Sequence, residues 1–164
     1  MAQTGEESKK ALTAADTTTA QLYARPTGAD NPKLHAFWVI KGEDEYYILT
    51  GGPGGNPGKV TGWVDHAKTL EEVLKLGWKD APNETVRKQE TKLLGTFQVS
   101  EKFRTYNGAA ALNDKFNATI GTRGYNPNGP NSNTFARVMG QGMGAKVNLS
   151  AQKVELLRGW NWAP

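Results

Sequence analysis

The strongest strand pattern in the chain is the nearly continuous apolar run at Leu34–Lys41, LHAFWVIK. Side chains along a strand point to opposite faces in turn, so His35, Phe37 and Val39 share one face and Ala36, Trp38 and Ile40 the other. Both faces are apolar, which predicts a central strand covered on both sides. After a turn at Gly42-Glu43-Asp44, the stretch Glu45–Thr50, EYYILT, predicts a second strand paired antiparallel to the first as a hairpin. Weaker alternation predicts strands at Gln21–Arg25, stopped by Pro26, at Val60–Asp65 and at Thr91–Ser100. Thr27–Lys33 and the Gly/Pro run Gly51–Gly58 read as loops, the latter shaping one wall of a cleft.

Helical spacing appears later in the chain. Leu70, Val73 and Leu74 predict a helix over Thr69–Leu76, with Gly77 at its end. Ser100 is placed to cap the longest helix, Glu101 to about Ile120, with Phe103, Tyr106, Ala110, Asn113, Phe116 and Ile120 on one stripe. A further helix opens at Ser132 and ends near Gly140–Gly144, and a last short one is expected over Val147–Arg158. The aromatic end, Gly159-Trp160-Asn161-Trp162-Ala163-Pro164, is costly to leave in water and is expected to dock. Residues 77–90 carry little pattern. Residues 1–18 offer almost no large apolar side chain and read as a mobile N-terminal tail, with a short helix around Glu6–Ala15 as the alternative. Residues 19–164 then form a single domain. Strands come first and the clearest helices last, which argues for α+β: an antiparallel sheet with helices packed on it.

Composition narrows the chemistry. The 164 residues contain no cysteine, so disulfides and thiolate metal sites are excluded, and a working cysteine protease is excluded for the chain as it stands. The net charge of +4 comes from scattered residues without a Lys/Arg-rich block, so no nucleic-acid partner is expected. No apolar run approaches the ~20 residues of a membrane span, so no transmembrane segment is expected. The N-terminus has no apolar core of a Sec signal peptide, which points to the cytoplasm or to export by a specialised secretion system. A phosphate loop fails at Gly51–Gly58, because position 53 is Pro where the first Gly would stand and residue 60 is Val rather than Ser or Thr. Two histidines and scattered carboxylates give neither an HExxH nor an EF-hand pattern, and no metal or cofactor is expected.

Candidate chemistry concentrates in Tyr125–Met139, YNPNGPNSNTFARVM. Its Pro/Asn/Gly run forms a tight loop, and Asn131, Ser132 and Asn133 are all helix-capping types ahead of a helix-compatible segment. Ser132 therefore stands at or beside a helix start, where free N–H groups and the dipole favour an anion. Nucleophiles are often placed there. Capping alone explains the same residues.

Loop, Asn131-Ser132-Asn133-Thr134-Phe135, then helix resembles the nucleophile element of circularly permuted papain-like proteins. That superfamily includes the NlpC-like peptidases and the lecithin:retinol acyltransferase-like enzymes. Their element is Asn-Cys, two polar residues and an aromatic, with a His upstream at the start of a strand. His35 at the head of HAFWVI, Gly51-Gly52-Pro53 after a second strand, Tyr125 and Asn131-Ser132-Asn133 are most similar to a domain type of bacterial polymorphic toxins. The similarity spans about residues 20–145. It implies a permuted papain-like domain over 19–164, with Ser132 in the nucleophile position and His35 as its base. His66 is the only other histidine and lacks that placement. In the resembled families a third residue on the next strand orients the His, which makes Thr50 or Glu45 the candidates, with Asp65 outside that strand. Asn131, Asn133 and Tyr125 are candidates for oxyanion or loop support.

Position 132 departs from the pattern, being Ser where the catalytic families have Cys. A natural active serine, a natural inactive one and an engineered replacement of Cys all fit. The implied function is a hydrolase or acyltransferase acting on an amide or ester bond of a protein, peptide or lipid. The setting implied is a secreted bacterial effector or toxin with an immunity or carrier protein as partner. The alternative is a non-catalytic binding or delivery module on the same fold.

Overall fold

The strand at the centre of the sequence pattern is also the central strand of the sheet. A computed structural model describes residues 17–28, 31–54, 58–77 and 91–164. Strands β1 (Thr17–Gly28), β2 (Asn31–Lys41), β3 (Tyr46–Gly54), β4 (Lys59–Ala67) and β5 (Lys92–Ser100) form one antiparallel sheet in the order β4-β3-β2-β1-β5. Four α-helices accompany it among the described residues: α1 (Leu70–Leu76), α2 (Tyr106–Ala118), α3 (Ser132–Met143) and α4 (Ala151–Leu156). The α+β expectation and the β2–β3 hairpin hold.

The two faces of β2 found two cores. Ala36, Trp38 and Ile40 join Leu22, Leu49, Phe116 of α2, and Phe135, Ala136 and Met139 of α3. Phe37 and Val39 join Tyr23, Ile48 and Val73 of α1 on the opposite face. Full burial of side chains such as Trp38 and Phe135 contributes on the order of 1.5–3 kcal/mol each. The Trp38 indole N–H donates to Ala136 O at 2.7 Å, which satisfies the polar atom of that buried ring.

The structure corrects several expected boundaries. β1 begins at Thr17, so the last two residues of the expected tail, Thr17 and Thr18, are buried and paired with Ser100 and Val99. Residues 1–16, including the alternative helix at 6–15, lie outside the described residues, as do 29–30 and 55–57 of the expected loops and the patternless 78–90. Pro26 does not stop β1. β5 begins at Lys92 opposite Ala24, so at Pro26 the strand has only β2 as neighbour, and proline is tolerated at such an edge. Gly51–Gly54, expected in a loop, extends β3 opposite β4.

The helix expected over 101–120 is broken. Glu101–Arg104 is a 3-10 turn, Thr105 is extended, and its hydroxyl accepts from Gly108 N at 3.2 Å to start α2. The break rotates the stripe. Ala109, Asn113 and Phe116 are buried on α2, whereas Tyr106 is exposed. α4 is shorter than its expected span. The C-terminal segment docks as expected, with Trp160 buried and Arg137 donating to Trp160 O and Trp162 O.

Close packing of α3 on the sheet needs two glycines that face each other across β3 and β4, Gly51 and Gly62. A Cβ on Gly62 would lie 2.2 Å from both Phe135 Cε1 and Asn113 Oδ1, and one on Gly51 would lie 2.7 Å from Phe135 Cβ. Overpacking of this kind costs about 1–3 kcal/mol. Gly62→Ala is expected to lower the melting temperature by several degrees, at ~2–4 °C per kcal/mol for a chain of this size, while Gly124→Ala, which meets nothing within 4 Å, leaves it near the wild-type value. Thermal denaturation of the two variants checks this.

Candidate active site

The site forms where β2 and β3 part. Their pairing runs from Lys41↔Tyr46 to Trp38↔Leu49 and stops, although both strands continue. On that side, the backbone of β2 from Leu34 to Ala36 has no strand partner. The first turn of α3 takes the place. Asn133 Oδ1 accepts from Ala36 N at 2.8 Å and its Nδ2 donates to Leu34 O at 2.9 Å. The carboxamide pairs with β2 as a neighbouring strand's peptide group would. An unpaired buried donor or acceptor costs about 1–3 kcal/mol, so this clamp is a strong constraint on where α3 begins.

Asn131 is the N-cap. Its Oδ1 accepts from Asn133 N at 3.0 Å and Thr134 N at 3.3 Å, while Thr134 Oγ1 accepts from Asn131 N at 3.1 Å, completing a capping box. The C-terminal segment closes over the same turn. Arg158 O accepts from the side-chain amides of Asn131 and Asn133, and Gly159 O accepts from Thr134 Oγ1. Gly159 has φ 89°, and a Cβ there would sit 2.4 Å from the Asn131 amide, so glycine is required on both counts.

Ser132 is the first residue of α3, and its Oγ lies 2.9 Å from His35 Nδ1. His35 Nε2 lies 3.0 Å from Thr50 Oγ1. A neutral imidazole donates from one nitrogen and accepts at the other. With the proton on Nε2, Thr50 accepts from it, and Nδ1 accepts from the Ser132 hydroxyl. The cap takes the N–H groups of Asn133 and Thr134, and Phe135 N bonds Asn131 O at 3.0 Å. The Ser132 N–H is then the first-turn donor left outside the cap, at the positive end of the helix dipole.

Ser132, His35 and Thr50 line one cleft of about 670 Å³, together with Arg25, Trp63, Asp65, Gly77 and Tyr125. Its floor follows the strand register. Arg25 lies opposite His35, and Thr50 opposite Trp63. The Arg25 Nε donates to Gly77 O at 2.7 Å, holding the guanidinium at the cleft wall. Burial, and then the Arg25 charge, push the His35 pKa down to about 3. Both disfavour the imidazolium.

The structure thus brings Ser132, His35 and Thr50 together, with Asn131 and Asn133 as the scaffold of the turn and Tyr125 on the cleft wall. Asn131 and Asn133 are committed to structural hydrogen bonds, which leaves neither side chain aimed at an oxyanion. The other acceptor candidate, Glu45, bonds His66 Nδ1 at 2.9 Å on the surface. Asp65 lines the cleft but accepts from its neighbour, His66 N. Arg25 and Trp63 were not singled out by sequence reasoning. Their place follows from register across β1–β2 and β3–β4, for which the sequence carries no local signal. Among the described residues no group of three His, Cys, Asp or Glu side chains could hold a metal ion, and no helix is long and apolar enough to cross a membrane.

No protein-family model matches the chain, and no curated protein and no solved structure is significantly similar to it.

Burial of His35 has a pH consequence. The unfolded chain takes up a proton on His35 near pH 6.5, and the folded chain does so only near pH 3. Between these values the unfolded state binds more protons, so acidification through that window favours unfolding, by at most ~1.4 kcal/mol per pH unit. His35→Gln is expected to flatten this part of the stability–pH curve. Urea unfolding of both proteins from pH 7 to pH 4 checks it.

Proposed function

We propose that the protein is a permuted papain-like hydrolase or acyltransferase acting on an amide or ester bond. Ser132 is the nucleophile, His35 its base and Thr50 the group that orients the imidazole. The observation that carries this reading is the continuous chain Ser132 Oγ–His35–Thr50 Oγ1, with links of 2.9 and 3.0 Å, on the wall of a cleft. Nucleophile and base within hydrogen-bond reach, with the base oriented by a third group, is the arrangement that activates a serine.

In the proposed reaction His35 Nδ1 takes the hydroxyl proton as Ser132 Oγ bonds to the substrate carbonyl carbon. The carbonyl oxygen gains the negative charge beside the Ser132 N–H and the start of α3. Nδ1 then returns the proton to the leaving amine or alcohol, giving an acyl-serine. Water or a second acceptor repeats the steps in reverse and releases the acyl group. The similarity of the Asn131-Ser132-Asn133 element to those of polymorphic toxins supports a bacterial effector setting, with a protein, peptide or lipid substrate.

One observation favours a second reading, a non-catalytic binding module on the same fold. Ser132 and His35 are only 6% and 8% exposed, and His35 resists protonation down to about pH 3. A fluorophosphonate probe separates the two. On the catalytic reading it labels Ser132; Ser132→Ala removes the label and His35→Ala slows labelling by about 10²–10⁴-fold. Ser132→Cys should also react with iodoacetamide faster than Thr96→Cys on β5, because a helix start lowers a thiol pKa. Neither label at position 132 would leave the binding-module reading.

A further inference from the structure

Three large apolar side chains are markedly exposed among the described residues: Trp63, Leu93 and Tyr106. Only Trp63 of these lines the candidate cleft. It is 44% exposed, and the register sets it directly beside Thr50, on the sheet face that carries His35. An indole left this open, next to the group that orients a base, is where binding energy would come from if a ligand covered it.

The surroundings of Trp63 are specific. Gly52 lies on the same face of β3, and a Cβ added there would stand 3.2 Å from Trp63 Cζ3 and 3.7 Å from Cη2. The indole therefore rests on bare backbone, and a side chain at 52 would make it give by a few tenths of an ångström. Pro53, Leu76 and Tyr125 line the same cleft. Thr50 is engaged with His35, and Asp65, one row farther along β4, already accepts from His66 N. An aromatic side chain can cover the indole by ring contact alone and leaves the Thr50–His35 bond undisturbed.

We propose that Trp63, seated on Gly52, is a specificity subsite for an aromatic side chain flanking the amide or ester bond presented to Ser132. The substrate class is then a peptide or N-acyl amino acid derivative with an aromatic residue at that bond. The inference rests on the proposed role of Ser132 for its catalytic meaning, but the subsite is a binding property and is tested by itself.

The test follows the tryptophan indole N–H signals of the ¹⁵N-labelled protein, with that of Trp63 assigned through Trp63→Phe. N-acetylphenylalanine amide is expected to shift the Trp63 signal saturably, while N-acetylglycine amide and N-acetylglucosamine leave it in place. A Trp63 signal unmoved by the phenylalanine derivative, or moved equally by the sugar, overturns the proposal. A second measurement links the subsite to the reacting position. Ser132→Cys should be alkylated by N-benzyliodoacetamide about tenfold faster than by iodoacetamide, and Trp63→Ala should abolish that preference. In both reagents the thiolate sulfur displaces iodide at the same carbon, so the ratio reports the benzyl group. A silent Trp63 with a reactive Cys at 132 overturns the subsite and keeps the catalytic reading. A responsive Trp63 with an inert position 132 does the opposite.

Discussion

The side chain of Asn133 is the point on which the rest depends. β2 is the central strand, and beyond Trp38 it loses β3 as a partner. Two of its backbone groups, Ala36 N and Leu34 O, would be stranded in the interior without the Asn133 carboxamide. Those two residues flank His35, and Asn133 follows Ser132. One pair of hydrogen bonds thus satisfies the strand and sets the Ser132–His35 distance. A residue without both a donor and an acceptor in one plane cannot do this. Aspartate would lose the bond to Leu34 O, and leucine would lose both.

The rest of the architecture keeps that contact in place. The Gly51–Gly62 pair lets the Phe135 ring approach the sheet, where it meets Phe116 edge-on with centroids 4.9 Å apart. Trp38 anchors the next turn of α3 through Ala136 O, and the residue that faces its ring is Gly140. From the other side the C-terminal segment binds the capping residues and Arg137. The first turn of α3 is held by β2, by the core and by the chain end at once. Such over-determination is what a preorganised site requires, since small displacements of a nucleophile are costly to reactivity.

Much of this was legible in the sequence where local chemistry decides. The two apolar faces of Leu34–Lys41 gave away a central strand, and Asn131-Ser132-Asn133 gave away a helix start. Thr50 was legible only as a member of the strand after His35, because its contact depends on how β2 and β3 diverge. Failures lie where tertiary context overrides local preference. Thr105 breaks a helix whose apolar spacing looked continuous, since its hydroxyl caps a new start. Gly51–Gly54 reads as loop from composition, yet pairs with β4, and at Gly51 a glycine is what the Phe135 contact demands. The roles of Arg25 and Trp63 depend on cross-strand register, and a slip of one residue would have put both on the other face.

The identity of residue 132 decides how this pocket behaves. A buried imidazole with a hydroxyl on each side and an arginine nearby has, among the described residues, no carboxylate hydrogen-bonded to it to stabilise its protonated form. In a serine hydrolase the stabilising negative charge comes from a carboxylate behind the histidine, or from the oxyanion as it forms. Thr50 supplies none. On the proposed catalytic reading, reaction at Ser132 therefore leans on the substrate: its oxyanion must carry the compensating charge, and its bulk must displace cleft water to strengthen that attraction. A thiol at the same position changes the balance before any substrate arrives. Its proton is far easier to lose, and the thiolate at the helix start would itself hold the imidazolium. The same three-residue geometry is thus a demanding site for an alkoxide and a favourable one for a thiolate. That asymmetry is a physical reason to expect a cysteine at this position to be the more reactive nucleophile.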